Sequence, residues 1–442
     1  MKFSIDKQTI NDLELFHKNG NDKSVFALFN YTDTTGGKKQ LEMFFANPLT
    51  DIELIDQRIQ VLKYFQSFTI GFKLEKECFD SIEYYLIQQN IPNRFSFSES
   101  LLQAINYKIR PRNEYYTIQR GIYLLIKSLK DIYHTVKVID TESSPDYIRN
   151  CRTKILDIIE NTSLKMILGF KERQNLNPFE IGKLDYFFRN SQKNNVREIL
   201  EIIYQFDTFK SIVYASNKQG FSLPSFSNEL NFYHVEGLFH PFIDNPVANN
   251  FEFEHGRNVC FLTGPNMAGK STFLKSLSIS IYLSHLGFPV PATKLKTSIF
   301  NGLLTTINLS DNISRGYSHY YSEVLRVKYV AEQINQVGNI FIVFDEIFRG
   351  TNVRDAYEAS LAVITSFSRL NKCLFAISTH VIEVAENLKE NNSIFFKYFD
   401  ANMLNGTPNY SFSLKDGVTD ERIGMYILEK EKVLETIEKA ID

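Results

Sequence analysis

Two stretches of the sequence hold residues that can do chemistry together. The first is VCFLTGPNMAGKSTFLKSL, in which an apolar run ends at Thr263, a loop covers Gly264, Pro265, Asn266, Met267, Ala268 and Gly269, and Lys270, Ser271 and Thr272 open a helical stretch. The spacing is G-x-x-x-x-G-K-S, and between a strand and a helix that spacing builds a phosphate cradle. Glycines let backbone N–H groups curl around phosphate oxygens without side-chain clash. Lys270 is expected to reach the β- and γ-phosphates of ATP and Ser271 to ligate Mg²⁺, with the helix N-terminus adding partial positive charge. The second stretch is NIFIVFDEIFRGTN, where four apolar residues run straight into Asp345 and Glu346. Ending a buried strand in two carboxylates is costly unless a cation waits there. Asp345 fits the partner of Ser271 on the metal, and Glu346 fits the base that polarises an attacking water. An acidic pair of this kind can also simply open a helix, but its place a domain's length after the phosphate loop favours catalysis. His380 follows the run Cys373–Ser378 with only Thr379 between. A lone histidine is usually structural; at the end of a strand parallel to the other two it could meet the γ-phosphate and report its presence.

The elements that must position these groups alternate. Apolar runs at Asn258–Thr263, Asn339–Phe344 and Cys373–Ser378 are separated by helical patterns at 271–286 and 356–369. Short continuous apolar runs between amphipathic helices predict a parallel sheet covered on both faces. Before about residue 230 the reading is helix after helix. Residues 41–46 and 52–65 show helical spacing, split by Asn47-Pro48, and longer candidates run over about 113–140 and 195–216. The region between the last two is more polar, and Asn175, Asn177 and Pro178 break the pattern. The expected architecture is multidomain α + α/β. Residues 1–229 form an all-helical core and lever, and residues 230–442 form a P-loop NTPase domain of ABC-like α/β type with a mostly parallel sheet.

Composition sets outer limits. The chain has 442 residues, 43% hydrophobic and 23% charged, ordinary for a globular protein of two or three domains. A net charge of -2 offers no overall attraction to a polyanion, so any nucleic-acid contact must come from local patches. Four scattered cysteines without paired metal spacing fit a reducing cytoplasm. The N-terminal residues lack a basic head followed by an apolar core, and no apolar run is long enough to span a bilayer.

At this density of motifs the chain resembles the MutS mismatch-repair ATPases. GPNMAGKST is similar to their P-loop, DEIFRGTN to their Walker B segment and the turn after it, and STH to their histidine switch. DNISRGYSHYYSEV at 311–324, FPVPATKL at 288–295 and YSFSLKDGVTDERIGMYIL at 410–428 match further family blocks in the right order. Upstream, residues 33–62 look like the opening of the family's core domain, and GLFHPFIDNPVANN like the entry to its ATPase domain. The resemblance implies that Asn266 contacts phosphate, that His380 is the switch and that Ser318 enters a neighbouring subunit's site. It therefore implies a homodimer with composite ATP sites, with Asp355 at the same interface and a dimerisation segment at the C-terminal end. Three places depart from the family. Phe348 stands where glycine is usual, Pro246-Val247 where an aromatic commonly stacks on adenine, and His319-Tyr320-Tyr321 is bulky beside Ser318. The core-like block begins near residue 33, so neither the mispair-reading domain nor the connector is expected, and the clamp is expected to be reduced or absent.

The function expected from this reading is a dimeric, Mg-ATP-driven switch that binds DNA or repair and recombination intermediates, with mispair reading itself not expected. Lys108, Arg110 and Arg112 could touch a DNA backbone, although a solvated helix end is the plainer reading of KIRPR. The alternative is an ATP-regulated interaction protein that assembles with a partner without direct DNA binding.

Overall fold

A computed structural model describes residues 2–16, 23–68, 71–72, 74–88, 113–170, 176–307, 319–379, 381–404, 407–419 and 432–438. The chain divides into two compact units, Met1–Leu28 with Asn47–Ile55 and Ser216–Asp442, and Phe29–Ala46 with Asp56–Ala215. The candidate KIRPR contacts at 108–112 lie outside the described residues.

The second unit is helical. Its long helices Asn113–Lys137 and Lys193–Gln219 are where helical spacing places them. On the first, Ile122, Leu125, Leu129, Ile132 and Val136 recur at intervals of three and four and are all buried. Between these helices the polar region is more ordered than its composition suggests. Helix Asp146–Asn161 fills part of it, and Asn177-Pro178 starts a helix rather than breaking one. Asn177 accepts from Glu180 N while Glu180 bonds back to Asn177 N, with proline in the first turn of Pro178–Tyr186.

One buried carboxylate organises the start of helix Thr35–Ala46. Asp207 accepts from Asp33 N at 2.9 Å, Thr34 N at 2.8 Å and Thr34 Oγ1 at 2.7 Å. Thr34 Oγ1 in turn accepts from Gly37 N at 2.9 Å. The Gly36-Gly37 pair is explained by the closeness of the facing helix. A Cβ on Gly37 would stand 2.2 Å from Asp207 Oδ2, and one on Gly36 2.5 Å from the Tyr204 ring. Burial raises the Asp207 pKa despite these hydrogen bonds.

The first unit carries two sheets. In chain order the strands are β1 (Ser225–Phe226), β2 (Tyr233–Leu238), β3 (Asn249–Glu252), β4 (Val259–Thr263), β5 (Lys294–Thr297), β6 (Gly302–Thr306), β7 (Ile340–Phe344), β8 (Leu374–Ser378), β9 (Ile394–Leu404) and β10 (Thr407–Asp416). The smaller sheet has the order β1-β5-β2-β3 and the larger β10-β9-β4-β8-β7-β6. Within the larger sheet β4 pairs in parallel with β8 and β9, and β7 in parallel with β6 and β8; β10 alone runs antiparallel. Every residue of β4, β6, β7 and β8 is buried, as continuous apolar runs require when both faces are covered. The register aligns Leu262 with Ser378 and Phe344 with Ile377, so β4, β7 and β8 end side by side.

Replacing Asp207 by Ala strands two backbone N–H groups and a hydroxyl in the helical core. A loss of about 2–3 kcal/mol is expected, read as a shift in the urea midpoint at unchanged slope. An unchanged midpoint would show that the 33–37 turn does not depend on this carboxylate.

Candidate functional site

Where β4 ends, the chain turns through Gly264–Gly269. Gly264 has φ of 140° and a Cβ there would lie 2.6 Å from the Phe399 carbonyl oxygen, so only glycine fits. Gly269, at φ of 106°, precedes helix Lys270–His285 in a left-handed conformation. Met267 also takes positive φ, 68°, unusual for a side-chain-bearing residue, and is 75% exposed. Lys270 is buried, and its Nζ donates to the carbonyls of Gly264 at 2.7 Å and Pro265 at 3.0 Å. Burial lowers its pKa, an effect opposed by the nearby charges of Glu346 and Asp345.

The two carboxylates lie where β7 runs out, and hydroxyls meet that of Asp345 there. Ser378, the last residue of β8, donates its Oγ proton to Asp345 Oδ1 at 2.6 Å and accepts from Glu346 N at 2.8 Å. Ser271 also hydrogen-bonds Asp345. Burial dominates and raises the Asp345 pKa, as does the charge of Glu346, while the two serines and Lys270 act the other way. The Asp345 backbone N–H bonds the Thr306 carbonyl at 2.9 Å, tying the carboxylate-bearing turn to β6. Glu346 itself has φ of 58° and pairs with Arg349 at 3.1 Å.

The turn after Glu346 resolves the departure at Phe348. Its φ is 59°, in the left-handed region that favours glycine, and its ring is buried beside Tyr320 at 5.8 Å between centroids. The backbone keeps the glycine-like conformation, and core burial of the ring offsets its strain. The buried carboxylate of Glu323 then accepts from Arg349 N at 3.4 Å and Gly350 N at 3.2 Å. Asp355 sits at the start of helix Val353–Phe367, where its N–H donates to Asn352 Oδ1 and its carboxylate accepts from Asn352 Nδ2.

Lys270, Ser271, Thr272, Asn266, Met267, Gly269 and Glu346 line one cavity of about 410 Å³. Pro246 and Val247 form part of its wall, and so does Phe412. Phe412 stands on an irregularity of the β9/β10 pairing between Tyr410 and Leu414, with φ of 53°, and is 43% exposed. Asn249 holds that irregularity in place, donating to the Phe412 carbonyl at 3.0 Å and accepting from Leu414 N at 2.7 Å. A Cβ on Gly269 would meet the Phe412 ring at 3.4 Å.

The structure thus brings together the loop, Lys270, Ser271, Asp345 and Glu346. Ser318 and His380 lie outside the described residues. Sequence reasoning missed Ser378, Glu323, Asn249 and Phe412. A hydroxyl ending an apolar strand was the one sign available for Ser378; the others depend on contacts distant in sequence.

Two family profiles match the chain, MutS domain III over residues 8–318 and MutS domain V over residues 260–441. Together with the strands, helices and loop above, they define a mixed α/β protein built of MutS domains. The chain belongs to the MutS family. Among its relatives, DNA mismatch repair protein MutS of Pseudothermotoga lettingae is 26% identical over 292 residues, covering 64% of this chain and 36% of that protein. DNA mismatch repair protein MSH3 of Vanderwaltozyma polyspora is 24% identical over 403 residues, covering 86% of this chain and 39% of that protein. MutS of Halalkalibacterium halodurans is 30% identical over 201 residues, 44% of this chain and 23% of its own. The chain thus spans well under two thirds of the length of these relatives. Among the described residues no helix is long and apolar enough to cross a membrane.

Proposed function

We propose that this chain is a P-loop ATPase that hydrolyses Mg-ATP and uses the cycle to switch a dimer acting on DNA. The observation that carries the reading is the meeting of Lys270, Ser271, Asp345 and Glu346 at the ends of β4 and β7, the two strands that flank β8. The donor set fits phosphate with a divalent cation. A lysine ammonium, a serine hydroxyl and an aspartate lie together, and glycines stand at the two ends of the loop, where a Cβ would meet Phe399 or Phe412. When bound, Mg²⁺ supplies charge neutralisation on the phosphates, with Ser271 and Asp345 as its protein ligands.

The chain's own residues do the rest. The loop N–H groups and Lys270 hold the phosphates, exchanging the Gly264 and Pro265 carbonyls for phosphate oxygens. Glu346 orients water and takes its proton, and Ser378 fixes the Asp345 carboxylate and the Glu346 backbone N–H. Phe412, beside Gly269 in the cavity wall, provides an aromatic face for the base where Pro246-Val247 provides none. By family membership Asn266 contacts phosphate, His380 senses the γ-phosphate, Ser318 completes the neighbouring subunit's site and Asp355 lies at that interface.

Three substitutions separate these roles. Glu346→Gln should keep nucleotide binding and lose turnover about a hundredfold or more. Lys270→Ala should weaken binding itself, and Phe412→Ala should weaken it about tenfold through lost stacking. Turnover of Glu346→Gln within a few-fold of the parent would remove Glu346 as the base, and unchanged affinity for Phe412→Ala would remove the stacking role.

The shared site is tested by mixing. Ser318→Ala and Lys270→Ala chains are each expected to be weak alone, yet a mixed dimer has one site retaining both native residues. Recovered activity supports shared sites; none, after demonstrated subunit exchange, rejects them.

DNA binding, taken from the repair proteins the chain resembles, should appear in fluorescence anisotropy with branched duplexes. It should fall steeply with salt, as backbone contacts do. No binding at low salt with or without ATP would instead favour the ATP-regulated assembly protein.

A further inference from the structure

β6 is an outer strand of the larger sheet, and its open edge is taken by the chain's own N-terminal residues. Leu303 N donates to the Ser4 carbonyl, Thr305 N to Thr9 Oγ1 and Ile307 N to Asp12 Oδ2, each at 2.9 Å. Three successive outward N–H groups are thus met first by a backbone oxygen, then by a hydroxyl, then by a carboxylate. The same Asp12 oxygen accepts from Thr305 Oγ1 at 2.8 Å, and its other oxygen accepts from Gln8 at 2.8 Å. Asp12 is only 2% exposed. Arg326 adds to the arrangement at the same edge. It pairs with Asp6 and donates to the Thr305 carbonyl at 2.6 Å and Thr306 Oγ1 at 3.0 Å.

The end of β6 is also where Asp345 is anchored, since its N–H bonds the Thr306 carbonyl at 2.9 Å. Thr306 lies between the two residues that Asp12 holds. We propose that Asp12 is a positioning residue for Asp345. By fixing Thr305 and Ile307 it fixes the Thr306 carbonyl, and so the direction in which the Asp345 carboxylate leaves β7. Without Asp12 a buried N–H and a buried hydroxyl lose their acceptor, and the strand end must move to find water. The metal-bearing carboxylate then samples a wider range of positions, which weakens metal binding more than it weakens phosphate contacts made by the loop.

This inference rests on the proposed hydrolysis of Mg-ATP, and the test separates the two. Asp12→Ala should raise the Mg²⁺ concentration for half-maximal hydrolysis about tenfold. Its affinity for ATP in EDTA should stay within about twofold of the parent, and Asp12→Asn, which keeps an acceptor for Ile307 N, should recover most of the loss. In the nucleotide-free protein, hydrogen exchange should quicken in peptides covering 303–307 and 341–346 while the helices of 113–161 stay unchanged. If Asp12→Ala does not fold, Thr305→Val removes one bond to the same carboxylate and should raise the Mg²⁺ requirement about threefold. An unchanged Mg²⁺ requirement in a folded variant, or equal loss of metal-dependent and metal-free binding, overturns the proposal. A parent chain that does not hydrolyse ATP defeats the functional reading instead. The exchange experiment then decides alone whether Asp12 governs 341–346.

Discussion

The parallel register of β4, β7 and β8 is the constraint on which the rest of this chain depends. Five-residue strands buried on both faces leave little choice of pairing, because any slip would push apolar side chains past the sheet's end. With that register fixed, the loop after Thr263, the carboxylates after Phe344 and the hydroxyl of Ser378 must converge. The convergence brings an electrostatic problem, since two carboxylates and an ammonium are drawn out of water together. Ser378 answers part of it by giving its proton to the Asp345 carboxylate, while its lone pair holds the Glu346 backbone N–H. Such an arrangement favours charged groups held ready for a charged ligand over groups arranged for stability alone.

The second constraint is closeness of backbone. Gly264 against Phe399 and Gly37 against Asp207 mark places where a single methyl group would not fit. Both belong to motifs conspicuous in the sequence, GPNMAGKS and DTTGG, so packing explains letters that function alone does not. Phe348 shows the opposite solution: a backbone suited to glycine is kept, and a large ring is buried to hold it there.

Much of this was legible in the sequence. Local spacing carried the strands ending at Thr263, Phe344 and Ser378, the two long helices, and the meeting of Lys270 and Ser271 with Asp345 and Glu346. Most of what was not legible depends on partners far away in the chain. Asn177-Pro178 reads as a break until the Glu180 side chain turns back to cap it. Phe412 is one aromatic among many until Asn249, 163 positions earlier, holds its strand irregularity open. Glu323 looks like a surface residue of an amphipathic helix until it is found bonding the Arg349–Gly350 backbone. The contacts of Phe412 and Glu323 have no periodicity or spacing to betray them, whereas Asn177 and Glu180 stand at the three-residue spacing of a capped helix start.

The covered edge of β6 has a consequence for how the chain is made. Thr9 and Thr305 are 296 positions apart, and the residues between them include all of the helical unit. At ribosomal speeds of 5–20 residues per second, the N-terminal segment waits roughly 15–60 s for the strand it will cover. During that interval the helical unit can fold on its own local contacts, while the sheet unit, assembled from three separate stretches, cannot close. Its apolar strands therefore emerge last. The time between synthesis of β6 and capture of its edge is when this protein is most exposed to pairing with the wrong strand.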